Sequence, residues 1–170
     1  RCTYEGLKFI PSIEKLGGKI ESEFIDALLE IYKELPKPLQ FTRDDFVDSL
    51  YDKDTILNTL RIDNNKGPII GFAKGGPLEK YQISNVNDIN FGKKNTVFLE
   101  PVALKMGYWG FHGGSEMRHL FTMQVSTKGY KFLTSFAMRD VITKRKKRHE
   151  GIEFVKKFDP ERWDYYRTKL

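Results

Sequence analysis

The sequence predicts a single mixed α/β domain built on a central sheet. Three patterns carry that expectation. Apolar residues recur at helical spacing in the first third, period two takes over near residue 56, and one strong strand runs through a glycine-rich loop straight into a helix. A chain of 170 residues with 39% hydrophobic and 14% aromatic content is long enough for one packed core. A globule of that size hides roughly 70% of its unfolded surface.

Residues 1–18 read as a mixed N-terminal arm with one short strand at Leu7–Ile10, and 19–170 as the domain proper. Phe24, Leu28, Tyr32 and Leu35 share a helical face, so a helix is predicted over Ile20–Leu35, stopped by Pro36. Thr42 followed by Asp45 reads as a capping pair, opening a short helix whose apolar face is Phe46, Val47 and Leu50. Ile56, Leu60 and Ile62 form a strand, Asp63–Gly67 a turn, and Pro68–Lys74 the returning strand. A long polar connection, 77–95, precedes a strand at Thr96–Leu104. Met117, Leu120, Phe121 and Val125 predict a helix over Gly114–Ser126. Lys131–Met138 is the next strand, Asp140 can cap a basic helix, and Gly151–Phe158 and Trp163–Leu170 close the chain as two strands joined at 159–161.

Composition excludes several classes. Cys2 is the only cysteine, which removes an intrachain disulfide framework and a cysteine-based zinc site. No apolar run approaches the roughly 18 residues that span a bilayer, so a soluble protein of a reducing compartment, the cytoplasm, is expected and a membrane partner is not. The chain begins at Arg1 rather than Met, which implies an upstream segment. The net charge of +6 is concentrated: between Arg139 and His149 six basic side chains face Asp140 alone, a balance of +5. The near-neutral remainder argues against nucleic acid as the partner. That basic run is open to three readings: a solvated helix face, a contact for an acidic ligand or substrate, or a surface for nucleic acid or a membrane.

The stretch Thr96–Val125 carries the chemistry. A strand holding Glu100 leads through Lys105, Met106, Gly107, Tyr108, Trp109, Gly110, Phe111, His112, Gly113, Gly114 and Ser115 into a helix. The glycines permit tight turns and close approach of a ligand, and the helix's first N–H groups can bind a phosphate. An ordinary glycine-rich turn is the other reading, since neither a Walker loop nor a GxGxxG pattern is present. Pro101 cannot donate to a sheet ladder, so the sheet should bulge or part there. Glu100 would then stand at the parting, within reach of a substrate. His112, Glu116 and His119 fall at i, i+4 and i+7, but the spacing is not HExxH and no metal is expected.

From about Ile20 to Leu170 the order of elements resembles the GNAT superfamily of acyl-CoA-dependent N-acyltransferases. The hairpin ending in PIIGFAKGG is similar to that family's second and third strands, FLEPVAL to its fourth, and GIEFVKKFDPERWDYYRTKL to its closing strand pair. Trp109–Gly114 aligns with the family's R-G-x-G-x-G loop, with Trp109 at the arginine and His112 at the middle glycine. Gly151-Ile152 stands at a late Gly-Phe, and Lys147 where a general-acid tyrosine is frequent. The resemblance implies an α/β (α+β) fold: a mostly antiparallel mixed sheet, splayed between strands four and five and flanked by about four helices. It implies acetyl-CoA or another acyl-CoA as co-substrate and a primary amine as acceptor, without a metal. Glu100 would be the base, N–H groups from Val102 to Leu104 would face the thioester carbonyl, and Lys105, Gly107 and Trp109–Ser115 would hold the pyrophosphate. The alternative is the same fold without turnover, docking RNA or an acidic partner through 139–149. A homodimer stays open, and the connection 77–95 is expected to border the acceptor.

Overall fold

A computed structural model describes the chain apart from residues 1, 5–6, 17, 82, 84–85, 148–150 and 158–162. Strands β1 (Cys2–Tyr4) and β2 (Leu7–Glu14) come first, followed by helices α1 (Ser22–Tyr32) and α2 (Arg43–Leu50). The hairpin β3 (Ile56–Ile62) and β4 (Ile69–Pro77) leads to β5 (Thr96–Leu99) and β6 (Ala103–Leu104). Helix α3 (Gly113–Thr127), strand β7 (Phe132–Met138), helix α4 (Arg139–Lys147) and strands β8 (Ile152–Lys157) and β9 (Trp163–Lys169) complete the chain. One mixed sheet runs β1-β2-β3-β4-β5-β7-β9-β8, with β6 paired to β4. All neighbours are antiparallel except β5 and β7. Among the described residues no helix is long and apolar enough to cross a membrane.

The helices divide between the two faces. Met117, Phe121 and Val125 of α3 pack on Leu60, Ile70, Val97, Leu99 and Leu133, while Ile142 of α4 meets Ala137 and Tyr166. On the other face Leu28, Ile31, Phe46 and Leu50 of α1 and α2 cover Leu57 and Phe72. Thr42 caps α2 as expected, its Oγ1 accepting from Asp45 N at 3.1 Å. The connection 77–95 is tied to the sheet by a buried group: Tyr165 donates to Asp88 Oδ2 at 2.7 Å, and Arg167 pairs with Asp88 Oδ1.

Four elements differ from the sequence expectation. Helix α1 ends at Tyr32 instead of Leu35, because the Tyr32 hydroxyl accepts from Phe41 N at 2.6 Å and turns the chain early. Strand β2 runs to Glu14 rather than Ile10, paired along β3. Its Pro11 lies beyond the reach of β1, at an open edge where a missing N–H is tolerated. Strand β4 continues past Lys74 to Pro77. The strand expected over Thr96–Leu104 is broken into β5 and β6 across 100–102, where Pro101 interrupts it. The expected turn at 159–161 lies outside the described residues.

Candidate active site

The break at Pro101 opens the sheet. β5 and β7 run side by side from Thr96 opposite Phe132 to Leu99 opposite Ser135. Ser135 Oγ donates to Leu99 O at 2.7 Å, closing the apex. Beyond that row β6 follows β4, with Phe72 opposite Ala103 and Gly71 opposite Leu104. β7 continues to Met138 beside β9 alone. A slot of about 810 Å³ lies in the parting, lined by Pro101, Val102, Leu104 and Ser135–Met138 and ending at the start of α3.

Backbone direction follows from this pairing. Lys105 N donates to Ile70 O at 2.8 Å, and successive amides of a strand alternate in direction. The N–H group of Leu104 therefore points away from β4, into the slot; Glu100 N also donates to β4, at Lys74 O (2.9 Å), so the alternation resets across the break at Pro101. The Leu104 carbonyl faces the same way and accepts from Trp109 Nε1 at 2.7 Å. The tryptophan thus ties the glycine-rich loop to β6. Gly110 (φ 89°) and His112 (φ 64°) both adopt left-handed backbone, so His112 keeps a turn that glycine makes without strain. Helix α3 makes its first internal bond from Glu116 N to His112 O at 3.0 Å. The N–H groups of Gly113, Gly114 and Ser115 precede it and sit at the mouth of the slot. Arg118 and Arg145 add positive charge there. Arg145 also donates to the Tyr166 hydroxyl at 2.8 Å.

A second cavity, of about 510 Å³, lies beside α2, lined by Asp45, Phe46, Asp48 and Ser49. Glu100 lines this cavity, and the next residue, Pro101, lines the slot. Glu100 is buried against Lys74 of β4, whose Nζ lies 2.6 Å from Oε2. Tyr81 OH donates to the same oxygen at 2.9 Å. Lys74 Nζ also donates to Ser49 Oγ and sits 4.2 Å from the centre of the Phe46 ring. Burial, then the Glu100 charge, pushes the Tyr81 phenol well above its ordinary pKa; the same two causes raise Tyr32. Both hydroxyls therefore stay protonated.

Of the residues singled out by sequence, Val102, Leu104, Trp109, Gly110, His112, Gly113, Gly114 and Ser115 line the slot together. Lys105, Gly107 and Phe111 do not; Phe111 packs against the α3 core instead. His112 precedes α3, and His112 and His119 are both exposed. In the basic run Arg145 reaches the slot and Arg139 pairs with Asp164 at 2.9 Å. The side chains of Lys146 and Lys147, with Arg148 and His149, lie outside the described residues. Sequence reasoning missed Lys74, Tyr81 and Ser49. A lysine inside the apolar run IIGFAKGG, in a strand paired on both sides, was the readable signal for the first; nothing local marks the other two.

A mixed sheet parted between two parallel strands, with a helix starting at its mouth, defines an architecture shared with solved acetyltransferases. An N-acetyltransferase from Staphylococcus aureus Mu50 superposes with a TM-score of 0.63 at 13% identity, over 95% of this chain and 98% of that one. YncA from Salmonella typhimurium, solved with its cofactor acetyl-CoA, gives 0.64 at 11%, over 96% and 94%. The ribosomal-protein-S18-alanine N-acetyltransferase of Escherichia coli gives 0.60 at 11%, over 95% and 94%. The chain has the GNAT fold. No family model matches the sequence, and no curated protein sequence matches it.

Proposed function

We propose that the protein transfers an acetyl group from acetyl-CoA to a primary amine, by direct attack of the amine on the thioester. The observation that supports this reading is that consecutive residues at the break line two cavities, Glu100 the pocket beside α2 and Pro101 the slot. The slot suits the co-substrate: apolar walls run along its length, and at its mouth three helix-start N–H groups and two arginines suit a pyrophosphate.

In this mechanism the N–H group of Leu104 faces the thioester oxygen and stabilises its negative charge as the amine adds. The carbon–nitrogen bond forms, the carbon–sulfur bond breaks, and the sulfur leaves with the electron pair as a thiolate. Glu100 takes the proton that the amine gives up. Lys74 and Tyr81 both hold Oε2, so Oε1 is the oxygen turned to the acceptor. Holding amine and thioester together at the break beside Glu100 would supply much of the rate, up to about 7–11 kcal/mol.

A thermal-shift titration with acetyl-CoA, with a short RNA as control, tests the binding half. A ligand at 100 times its Kd stabilises the fold by about 2.7 kcal/mol, a rise of several degrees. Thiol release in the presence of amines tests the transfer, which Glu100→Gln should abolish while acetyl-CoA still binds. Stabilisation by RNA alone would overturn the reading in favour of a docking module.

A further inference from the structure

Among the described residues, no strand lies on the edge of β6 that faces the slot. β6 pairs with β4 on its other side, Gly71 opposite Leu104 and Phe72 opposite Ala103. β7 borders β5 as far as Ser135 and continues beside β9. The N–H and the carbonyl of Leu104 both point into the gap between them. An open strand edge inside a slot is a template for an extended amide chain, which adds to it as a further strand would. The arm of CoA is such a chain, with two amides between its pyrophosphate and its sulfur.

One half of that template is already taken. Trp109 Nε1 donates to Leu104 O at 2.7 Å, so the indole sits on the side from which the N–H of an incoming amide would donate. The ring belongs to the lining of the slot, yet the residue is 58% exposed, and lifting it away uncovers little apolar surface. Glycines flank the segment that carries it. A Cβ on Gly107 or Gly110 would meet open space, and Gly110 holds left-handed backbone, so the loop turns there without collision.

We infer that Trp109 is a latch on the slot: in the free protein its indole N–H holds the Leu104 carbonyl, and the amide-bearing arm of CoA displaces it. The displacement rests on the acyl-CoA reading of the slot. A latch of this kind lowers apparent affinity in proportion to the fraction of molecules that are closed.

Calorimetric titration of the wild-type protein and Trp109→Phe with CoA tests the inference, with adenosine 3′,5′-bisphosphate, the nucleotide half that lacks the arm, as comparison. Phenylalanine keeps a ring at the position and removes the donor. Trp109→Phe should bind CoA about three- to tenfold more tightly, the worth of one competing hydrogen bond, and bind the bisphosphate no differently. The indole N–H resonances of the wild-type protein, assigned by the loss of one in the variant, give a second reading. The Trp109 proton should move upfield when CoA is added, as it loses its acceptor, and stay in place with the bisphosphate. CoA bound no more tightly by the variant, an equal gain for the bisphosphate, or a Trp109 resonance that CoA leaves in place would each overturn the latch and leave the acyltransferase reading standing. Binding of CoA to neither protein would overturn both. Tighter CoA binding by the variant, with acetyl transfer by neither protein, would keep the latch and remove the transferase.

Discussion

Lys74 and Glu100 form a buried ion pair between neighbouring strands β4 and β5, beside the parting of the sheet, 2.6 Å apart with side chains 1% and 3% exposed. Removing one partner strands the other's charge away from water, which costs about 3–5 kcal/mol. Lys74→Met and Glu100→Gln should each lower stability by an amount approaching that, whereas Lys74→Met/Glu100→Gln should cost much less than their sum. Urea unfolding of the four proteins in a double-mutant cycle measures the coupling. Strict additivity would show that the pair is not a unit.

Adjacent glycines of β4 should behave differently. A Cβ on Gly75 would lie 2.2 Å from the Phe98 carbonyl oxygen, a backbone atom that cannot swing away. A Cβ on Gly76 finds nothing nearer than 3.6 Å. Gly75→Ala should cost about 2–3 kcal/mol or more by overpacking. Gly76→Ala should change stability by less than about 1 kcal/mol. Thermal melts of the two variants decide it.

Alkali should unfold the protein through its buried phenols. Burial raises Tyr32, Tyr81 and Tyr165 above the ordinary tyrosine pKa. The folded chain therefore keeps these protons where the unfolded chain loses them. Their contribution is fully present below about pH 10, the unfolded value, and is lost as pH rises through the higher folded values. Stability should decline above about pH 10, and Tyr81→Phe should flatten that decline. Phenolate absorbance should report these three groups only as the protein unfolds; free titration of all tyrosines in the folded state would contradict this.

Arg145, within the basic run, lines the mouth of the slot. Arg145→Gln should raise the Kd for CoA about tenfold or more, by removing a charge-assisted contact of about 1.5–3 kcal/mol. The salt dependence of binding should flatten with it. Calorimetry at two salt concentrations reads both, and an unchanged Kd would assign Arg145 to the Tyr166 hydroxyl alone.

Much of the fold was legible because its signals are local. Thr42 and Asp45 announced the start of α2, the 63–67 turn announced the β3–β4 hairpin, and Pro101 announced the parting of the strands. The glycine-rich loop was legible as a series of tight turns before α3, and eight residues between Val102 and Ser115 meet at the slot. Errors fell where a distant partner decides the outcome. Helix α1 stops early because of a hydroxyl bonded nine residues away, and β2 outruns its expected end because β3 offers a full edge to pair with.

The sequence by itself determined the order of elements, the site of the break and the identity of the acid beside it, since period, proline and glycine act over a few residues. Only the tertiary structure decided that Glu100 faces Lys74 and Tyr81, from 26 and 19 positions away. Charge acts through space, and which side chains share a cavity depends on strand register and helix placement that no local pattern encodes.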